Sequence, residues 1–244
     1  MTSVLAINPN TNDAVSALVA RNLKDAAPAI DWRMATGRFG AHYILSEAAF
    51  AIAAHAAIDA WADHAQGCDA VLLACFGDPG LFALRELSPV PVVGLAEASM
   101  FAAAQAAERF SIVTGGSRWP PMLERLAQAL GYGAKLAGTR AIEITGAQAA
   151  ADPQRAVAAL AAACRSAGEE DGAEVVILGG AGFAGLGAGV AALAGLRVID
   201  SVGAAAHAAA ALASGAPPPY ARSTGVRPTP STGVAAALAD KLFE

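Results

Sequence analysis

Cysteine is scarce in this chain of 244 residues: Cys68, Cys75 and Cys164 are the only three. Three thiols at this length build no disulfide framework, so the fold must rest on an apolar core, and a reducing cytoplasm suits it. Metal-ligand spacing is also missing: there is no Cys-x-x-Cys, no His-x-x-x-His and no Asp/Glu-His cluster with ligand spacing. No metal and no cofactor are expected. Charge is sparse at 15%, the net charge is −5, and no basic cluster stands out, which argues against nucleic acid or an anionic membrane as partner. Hydrophobic residues reach 55%, but alanine supplies much of that. No apolar run long enough to span a bilayer is free of charges or helix breakers. The Met1-Thr2-Ser3 start runs straight into a strand pattern and lacks the basic region and cleavage site of a signal peptide. A small-molecule partner is what remains.

What the chain does have is a repeated segment. Asp69-Ala-Val-Leu-Leu-Ala-Cys75-Phe-Gly77-Asp-Pro-Gly80-Leu81 returns, altered, as Glu174-Val-Val-Ile-Leu-Gly-Gly180-Ala-Gly182-Phe-Ala-Gly185-Leu186. Each copy reads as an acidic residue, four apolar residues, a small one and a glycine-rich turn. The echo extends to Ser3-Val-Leu-Ala-Ile7 with Ser111-Ile-Val-Thr-Gly115, and to Pro91-Val-Val-Gly-Leu95 with Arg197-Val-Ile-Asp-Ser201. The three spacings agree to within a short loop insertion, whereas chance matches would scatter. Two copies are too few for a solenoid.

Short apolar β-rich runs alternate with alanine-rich helical stretches, as in parallel sheets flanked by helices. Strands are expected near 3–8, 30–36, 69–75, 91–94, 110–114, 135–140, 173–179 and 196–199. Helices are expected near 12–27, 46–66, 79–87, 96–108, 118–131, 153–168, 201–213 and 232–243. Asp78-Pro79 and Asp152-Pro153 each look like a helix start, a capping side chain followed by proline at the first helical position. Pro217 to Pro230 reads as an irregular link that carries the last helix back to the first lobe. The expected fold is α/β: two pseudo-symmetric Rossmann-like lobes, each a short parallel sheet flanked by helices, with the active site in the cleft between them. Residues 1–98 plus 205–244 form the first lobe and 99–204 the second. Ligands of parallel sheets sit at the carboxyl ends of the strands, which selects Asn8, Cys75, Thr114 and Gly180.

Cys75 is the sharpest of these. A helix beginning at Asp78-Pro79 would aim its positive end and its free N–H groups at the sulfur and lower the thiol pKa, giving a nucleophile or general base. The plain alternative is a small buried residue ending an apolar strand. A Cys-His dyad would need one of His42, His55, His64 or His207, and nothing in the sequence pairs any of them with Cys75. Gly180-Ala-Gly182-Phe-Ala-Gly185 spells GxGxxG after a strand. It follows a later strand rather than the first of its unit, and its first-half twin is no phosphate loop, so dinucleotide binding is disfavoured. Backbone N–H groups around Phe76-Gly77 and Ala181-Gly182, with Asn8, Thr114 and Gly115, are candidate donors to a developing oxyanion. Phe39-Gly40-Ala-His42-Tyr43 looks like a loop able to close over the cleft, with Tyr43 as a substrate contact.

Read together, Ile7-Asn-Pro-Asn-Thr11, Phe39-Gly40 with Tyr43-Ile44, Ala54-His-Ala-Ala57, Cys75 through Leu81 with Arg85-Glu86, Val92 to Ala98, Phe110 to Thr114 and Leu178 to Leu186 cover nearly the whole chain. This ordered set resembles the aspartate/glutamate/hydantoin racemase superfamily, closest to its hydantoin/allantoin racemase branch. The resemblance implies cofactor-independent proton transfer at a carbon next to a carbonyl, most readily in 5-substituted hydantoins or related amino-acid derivatives. It implies two cysteines on opposite faces of that carbon. Cys75 matches the first, and Gly180 stands where the second belongs.

Four readings stay open. Water, Thr114 or His42 serves the second face; or the protein is a one-thiol decarboxylase or isomerase like the arylmalonate decarboxylases, whose surviving cysteine is the second, so that this chain is their mirror image. Alternatively, Gly180 is an introduced substitution, or the chain binds its ligand without turning it over. No basic residue stands near a strand tip to bind a second carboxylate, although Arg118 is within reach of one, so aspartate and glutamate are disfavoured substrates. Family precedent and an alanine-rich, weakly charged surface point to a homo-oligomer.

Overall fold

The computed structural model describes residues 1–220 and 231–243, so part of the link expected between Pro217 and Pro230 lies outside the described residues. The chain divides into two compact units, Met1–Gly94 with Ala206–Glu244, and Leu95–Ala205. The first holds β1 (Ser3–Asn8), α1 (Asp13–Ala26), β2 (Asp31–Thr36), α2 (Glu47–His64), β3 (Ala70–Leu73), α3 (Leu81–Leu87) and β4 (Val92–Gly94). The second holds α4 (Leu95–Ala106), β5 (Phe110–Gly115), α5 (Trp119–Ala129), β6 (Leu136–Ile142), α6 (Gly146–Ala151), α7 (Pro153–Asp171), β7 (Val175–Gly179), a 3₁₀ turn (Ala181–Phe183), α8 (Gly187–Ala194) and β8 (Arg197–Asp200). Then come α9 (Ser201–Ala213) and α10 (Ala236–Phe243), which packs on α2.

Each unit contains one four-stranded parallel sheet, ordered β2-β1-β3-β4 and β6-β5-β7-β8. β1, β3, β4 and β7 are buried along their whole length, β5 all but its last residue, as expected of parallel strands covered by helices on both faces. The register shows the duplication residue by residue. Ile7 pairs with Leu73 and Leu73 with Gly94 in the first sheet; Val113 pairs with Leu178 and Leu178 with Asp200 in the second. Cys75 and Gly180 therefore each lie two residues beyond equivalent register positions, Leu73 and Leu178.

All eight expected strands form. Two helices were not expected, α6 and α8. The α8 sequence Gly-Ala-Gly-Val-Ala-Ala-Leu-Ala looks like a glycine-rich turn, but Val190 and Ala194 are buried on one side and the packing makes it helical. Asp152 caps α7 as anticipated, accepting from the Arg155 N–H at 3.0 Å with Pro153 in the first turn. Asp78 does not cap α3. That helix starts at Leu81 behind Gly80, which takes φ +88°, and makes no side-chain cap bond.

Two features anchor these sheets. The free edge of β4 is closed where the Val92 N–H donates to the Tyr220 hydroxyl at 2.7 Å, with the Arg85 guanidinium stacked 3.4 Å from the Tyr220 ring centre. In the second unit, Asp171 at the end of α7 accepts bidentately from Arg140 of β6 at 2.8 and 2.6 Å and from Ser111 of β5 at 3.3 Å. Its carboxylate occupies the space above Gly138. The Arg140 hydrogen bonds hold the Asp171 carboxyl below its ordinary pKa. A depressed folded-state pKa adds stability above the unfolded value of about 3.9, and that stability disappears as pH falls through the folded value. Asp171→Asn is accordingly expected to cost about 1–3 kcal/mol at pH 7, with the penalty shrinking below about pH 4 in urea titrations. A penalty of constant size across that range would contradict the assignment.

Candidate functional site

The turn after β3 is the most constrained part of the first unit. The Asp78 N–H donates to the Cys75 carbonyl at 3.0 Å, closing a four-residue turn with Phe76 and Gly77 at its centre, and Gly77 takes φ +136°. The Leu81 N–H then donates to the Asp78 carbonyl at 3.1 Å and starts α3. Residues 71–79 are all buried. Within this dry segment the N–H groups of Phe76 and Gly77 have no hydrogen-bond partner among the described residues. Buried N–H groups without partners are rare in folded proteins.

The same turn recurs in the second unit. The Phe183 N–H donates to the Gly180 carbonyl at 2.9 Å, and the Leu186 N–H to the Phe183 carbonyl at 3.1 Å. Ala181 and Gly182, at its centre, also have N–H groups without a partner among the described residues. The two turns share their closing backbone hydrogen bonds but differ in side chains, most sharply at the first residue, a thiol in one and glycine in the other. Gly180 has φ +134°, and a Cβ on it would stand 3.1 Å from Cδ2 of the Phe183 ring. Gly182 packs backbone to backbone on Gly146, and Gly115 lies so close to the Ile144 carbonyl (2.6 Å from a built Cβ) that neither position admits a side chain. Thr114, buried and directly in register with Gly179, carries a hydroxyl with no intramolecular partner among the described residues. The Gly116 N–H, by contrast, is committed to the Ile142 carbonyl.

Asn8 ends β1, the strand beside β3, but its amide is turned inward. Nδ2 donates to Asn10 Oδ1 (2.8 Å), the Asn12 carbonyl (3.2 Å) and Ser16 Oγ (3.0 Å), and Oδ1 accepts from the Asn10 N–H. Asn8 is thus the organiser of the Pro9–Asn12 loop, in which Asn12 caps α1. The loop after β2 is held at both ends: Arg38 meets the buried Asp59 at 2.6 Å, and the Ala41 carbonyl accepts from the Thr11 N–H at 3.2 Å. Phe39 stands edge-on to His55, and the exposed His42 edge-on to the half-buried Tyr43. Arg118 is exposed at the start of α5.

The electrostatics of Cys75 reverse the expectation drawn from the sequence. Burial, and after it the Asp78 carboxylate, push the Cys75 thiol far above its ordinary pKa. The helix that was to stabilise a thiolate begins at Leu81, too far along the chain, and the Asp78 expected to cap it instead places a negative charge near the sulfur. Reading Asp78 as a cap hid this. The signal lay in the repeat, where Asp78 aligns with Phe183 and so has no counterpart in the second turn. All three cysteines are buried and unpaired. Among the described residues no cluster of three or more His, Cys, Asp or Glu is placed to hold a metal, and no helix is long and apolar enough to cross a membrane.

The chain is similar to several known proteins. A hydantoin racemase of Paenarthrobacter aurescens is 34% identical over 219 residues, covering 86% of this chain and 90% of its own length. A hydantoin racemase of Rhizobium meliloti is 40% identical over 148 residues, 61% of either chain, so the matching part spans less than two thirds of that relative. An allantoin racemase structure from Klebsiella pneumoniae superposes with a TM-score of 0.82 at 32% identity, covering 88% of each chain. The Asp/Glu/hydantoin racemase pattern itself matches residues 4–209. With the sheet order, the duplicated turns and these likenesses in agreement, the chain belongs to the Asp/Glu/hydantoin racemase family.

Proposed function

We propose that this protein is a cofactor-independent isomerase that moves the proton on the carbon next to a carbonyl, with 5-substituted hydantoins or closely related amino-acid derivatives as substrates. The observation that carries this reading is the Cys75 turn, a single thiol adjoining the N–H groups of two buried residues that have no partner among the described residues. Removing the proton leaves negative charge on the carbonyl oxygen, and the N–H groups of Phe76 and Gly77 are the donors for it. One preorganised donor of this kind contributes about 2.7–4 kcal/mol to an oxyanionic transition state. Cys75 takes and returns the proton. The second unit, taken by itself, carries an equivalent pair of N–H groups at Ala181 and Gly182 and the Thr114 hydroxyl, but no thiol in its turn. The substrate is neutral near the reacting carbon, since neither turn carries a cationic side chain.

Gly180 favours one-sided chemistry as a second reading. A lone thiol exchanges the α-proton from one face faster than it inverts the centre. Proton NMR in deuterium oxide with each enantiomer of a 5-substituted hydantoin, read beside optical rotation, separates the two. Loss of the α-proton with inversion from both enantiomers supports the racemase reading, and loss with retained configuration supports one-faced exchange. No loss from either enantiomer contradicts both.

A further inference from the structure

Asp78 is the one non-glycine residue with a left-handed backbone among the described residues, at φ +54°, and it is buried, with 3% exposure. Aspartate and asparagine tolerate this region better than other L-residues, and such conformations cluster where a site demands them. The Asp78 side chain lies at the tip of β4, the strand beside the one that leads to Cys75, so close to Gly94 that a Cβ there would fall inside its carboxylate. The second unit fills the same place from the opposite side. Phe183 takes the position of Asp78 in the turn, and Asp200 takes that of Gly94. The Asp200 carboxylate accepts from the N–H groups of Gly185, Val202 and Gly203, each at 3.1 Å. Both halves put a carboxylate between the turn and the last strand, but only the turn that bears a thiol carries its own.

We propose that Asp78 is a positioning residue for Cys75: its carboxylate, buried in the same hydrogen-bonded turn, opposes negative charge on the sulfur and makes the thiolate a stronger base when it forms. This rests on Cys75 being the reacting thiol. In the first step the thiolate takes the α-proton: the S–H bond forms as the C–H bond breaks, and the C–H electron pair passes into the enolate, leaving the negative charge on the carbonyl oxygen. In the second step the S–H bond breaks, the enolate electron pair forms the new C–H bond, the carbonyl is restored and sulfur is again thiolate. A carbon next to a carbonyl is a weak acid, so a more basic thiolate is better matched to it, at the cost of being formed less often.

Burial is the larger influence on the sulfur, and the Asp78 carboxylate in the same turn comes after it. The neighbouring strands β1 and β4 end in Asn8 and Gly94, and Arg85 on α3 is engaged by the Val92 carbonyl and the Tyr220 ring. The first turn of α4, which follows β4 directly, adds the buried Glu97.

The test is a pH titration of ultraviolet thiolate absorbance, taken as native protein minus Cys75→Ser, and repeated in an Asp78→Asn background. Asparagine keeps the shape and the left-handed turn and removes the charge. The native Cys75 midpoint is expected above the ordinary value of about 8.5, and Asp78→Asn should lower it by about one to three pH units. The pH at which α-proton exchange reaches half its maximal rate should move down with it. A native midpoint at or below the ordinary value overturns the proposal even where Asp78→Asn fails to fold. So does an unchanged midpoint in a folded Asp78→Asn protein. Because the titration needs no substrate, its outcome is independent of whether the hydantoin reading holds.

Discussion

Replacing Cys75 with serine is expected to slow α-proton exchange of a 5-substituted hydantoin by about 10²–10⁴-fold or more, the range contributed by a positioned proton-transfer group. A serine hydroxyl is nearly the size of the thiol but ionises far too reluctantly to take a proton from carbon near neutral pH. The site leaves no obvious substitute. His42 is exposed and turned onto Tyr43, His55 is paired with Phe39, and the Asn8 amide is consumed within its own loop. The turn itself does not depend on sulfur, because its closing bonds are backbone to backbone, from Asp78 to Cys75 and from Leu81 to Asp78. Thermal unfolding should therefore stay within a few degrees of native, so that lost exchange reports chemistry and not unfolding. Exchange at an undiminished rate in a folded Cys75→Ser protein would remove Cys75 from the reaction.

Gly180→Cys, which restores the thiol that the family resemblance implies, is expected to destabilise the protein by about 1–3 kcal/mol. The backbone at Gly180 has φ +134° and ψ +120°, a conformation that residues with a Cβ rarely adopt. The new Cβ would also press on the Phe183 ring at 3.1 Å, and that ring is buried and packed against Gly115. Gly180→Ala should lose a similar amount, since strain and crowding start at Cβ. The loss corresponds to a melting temperature lower by about 2–4 °C for each kcal/mol at this size. Comparing the two variants separates backbone strain from thiol chemistry. Native-like stability in both would mean that the turn relaxes freely and that glycine is not required by its conformation.

These expectations draw on two kinds of information. The strands, the sheet class and the duplication were legible in the sequence because they follow from local pattern: buried parallel strands read as apolar runs, and two copies of one run at constant spacing can hardly arise by chance. The position of Cys75 at a strand tip was legible for the same reason, as was the Asp152-Pro153 helix start. Asn8, Asp78 and α8 were not. Asn8 looked like a ligand contact because asparagine at a strand tip can face either way; only the folded loop brings Asn10, Asn12 and Ser16 around its amide. Asp78-Pro79 has the same local signature as Asp152-Pro153, yet the chain turns left-handed at Asp78 and delays the helix to Leu81.

The difference between those two dipeptides shows where the boundary falls. Sequence alone determined which residues alternate into strands and helices, that the fold is doubled, and that a thiol in one repeat aligns with a glycine in the other. Tertiary structure decided the charge around that thiol and the backbone at that glycine. Both depend on contacts between segments far apart in the chain, Asp78 with Gly94 and Phe183 with Gly115, and burial turns such contacts into large shifts in proton affinity and steric freedom that no local pattern records.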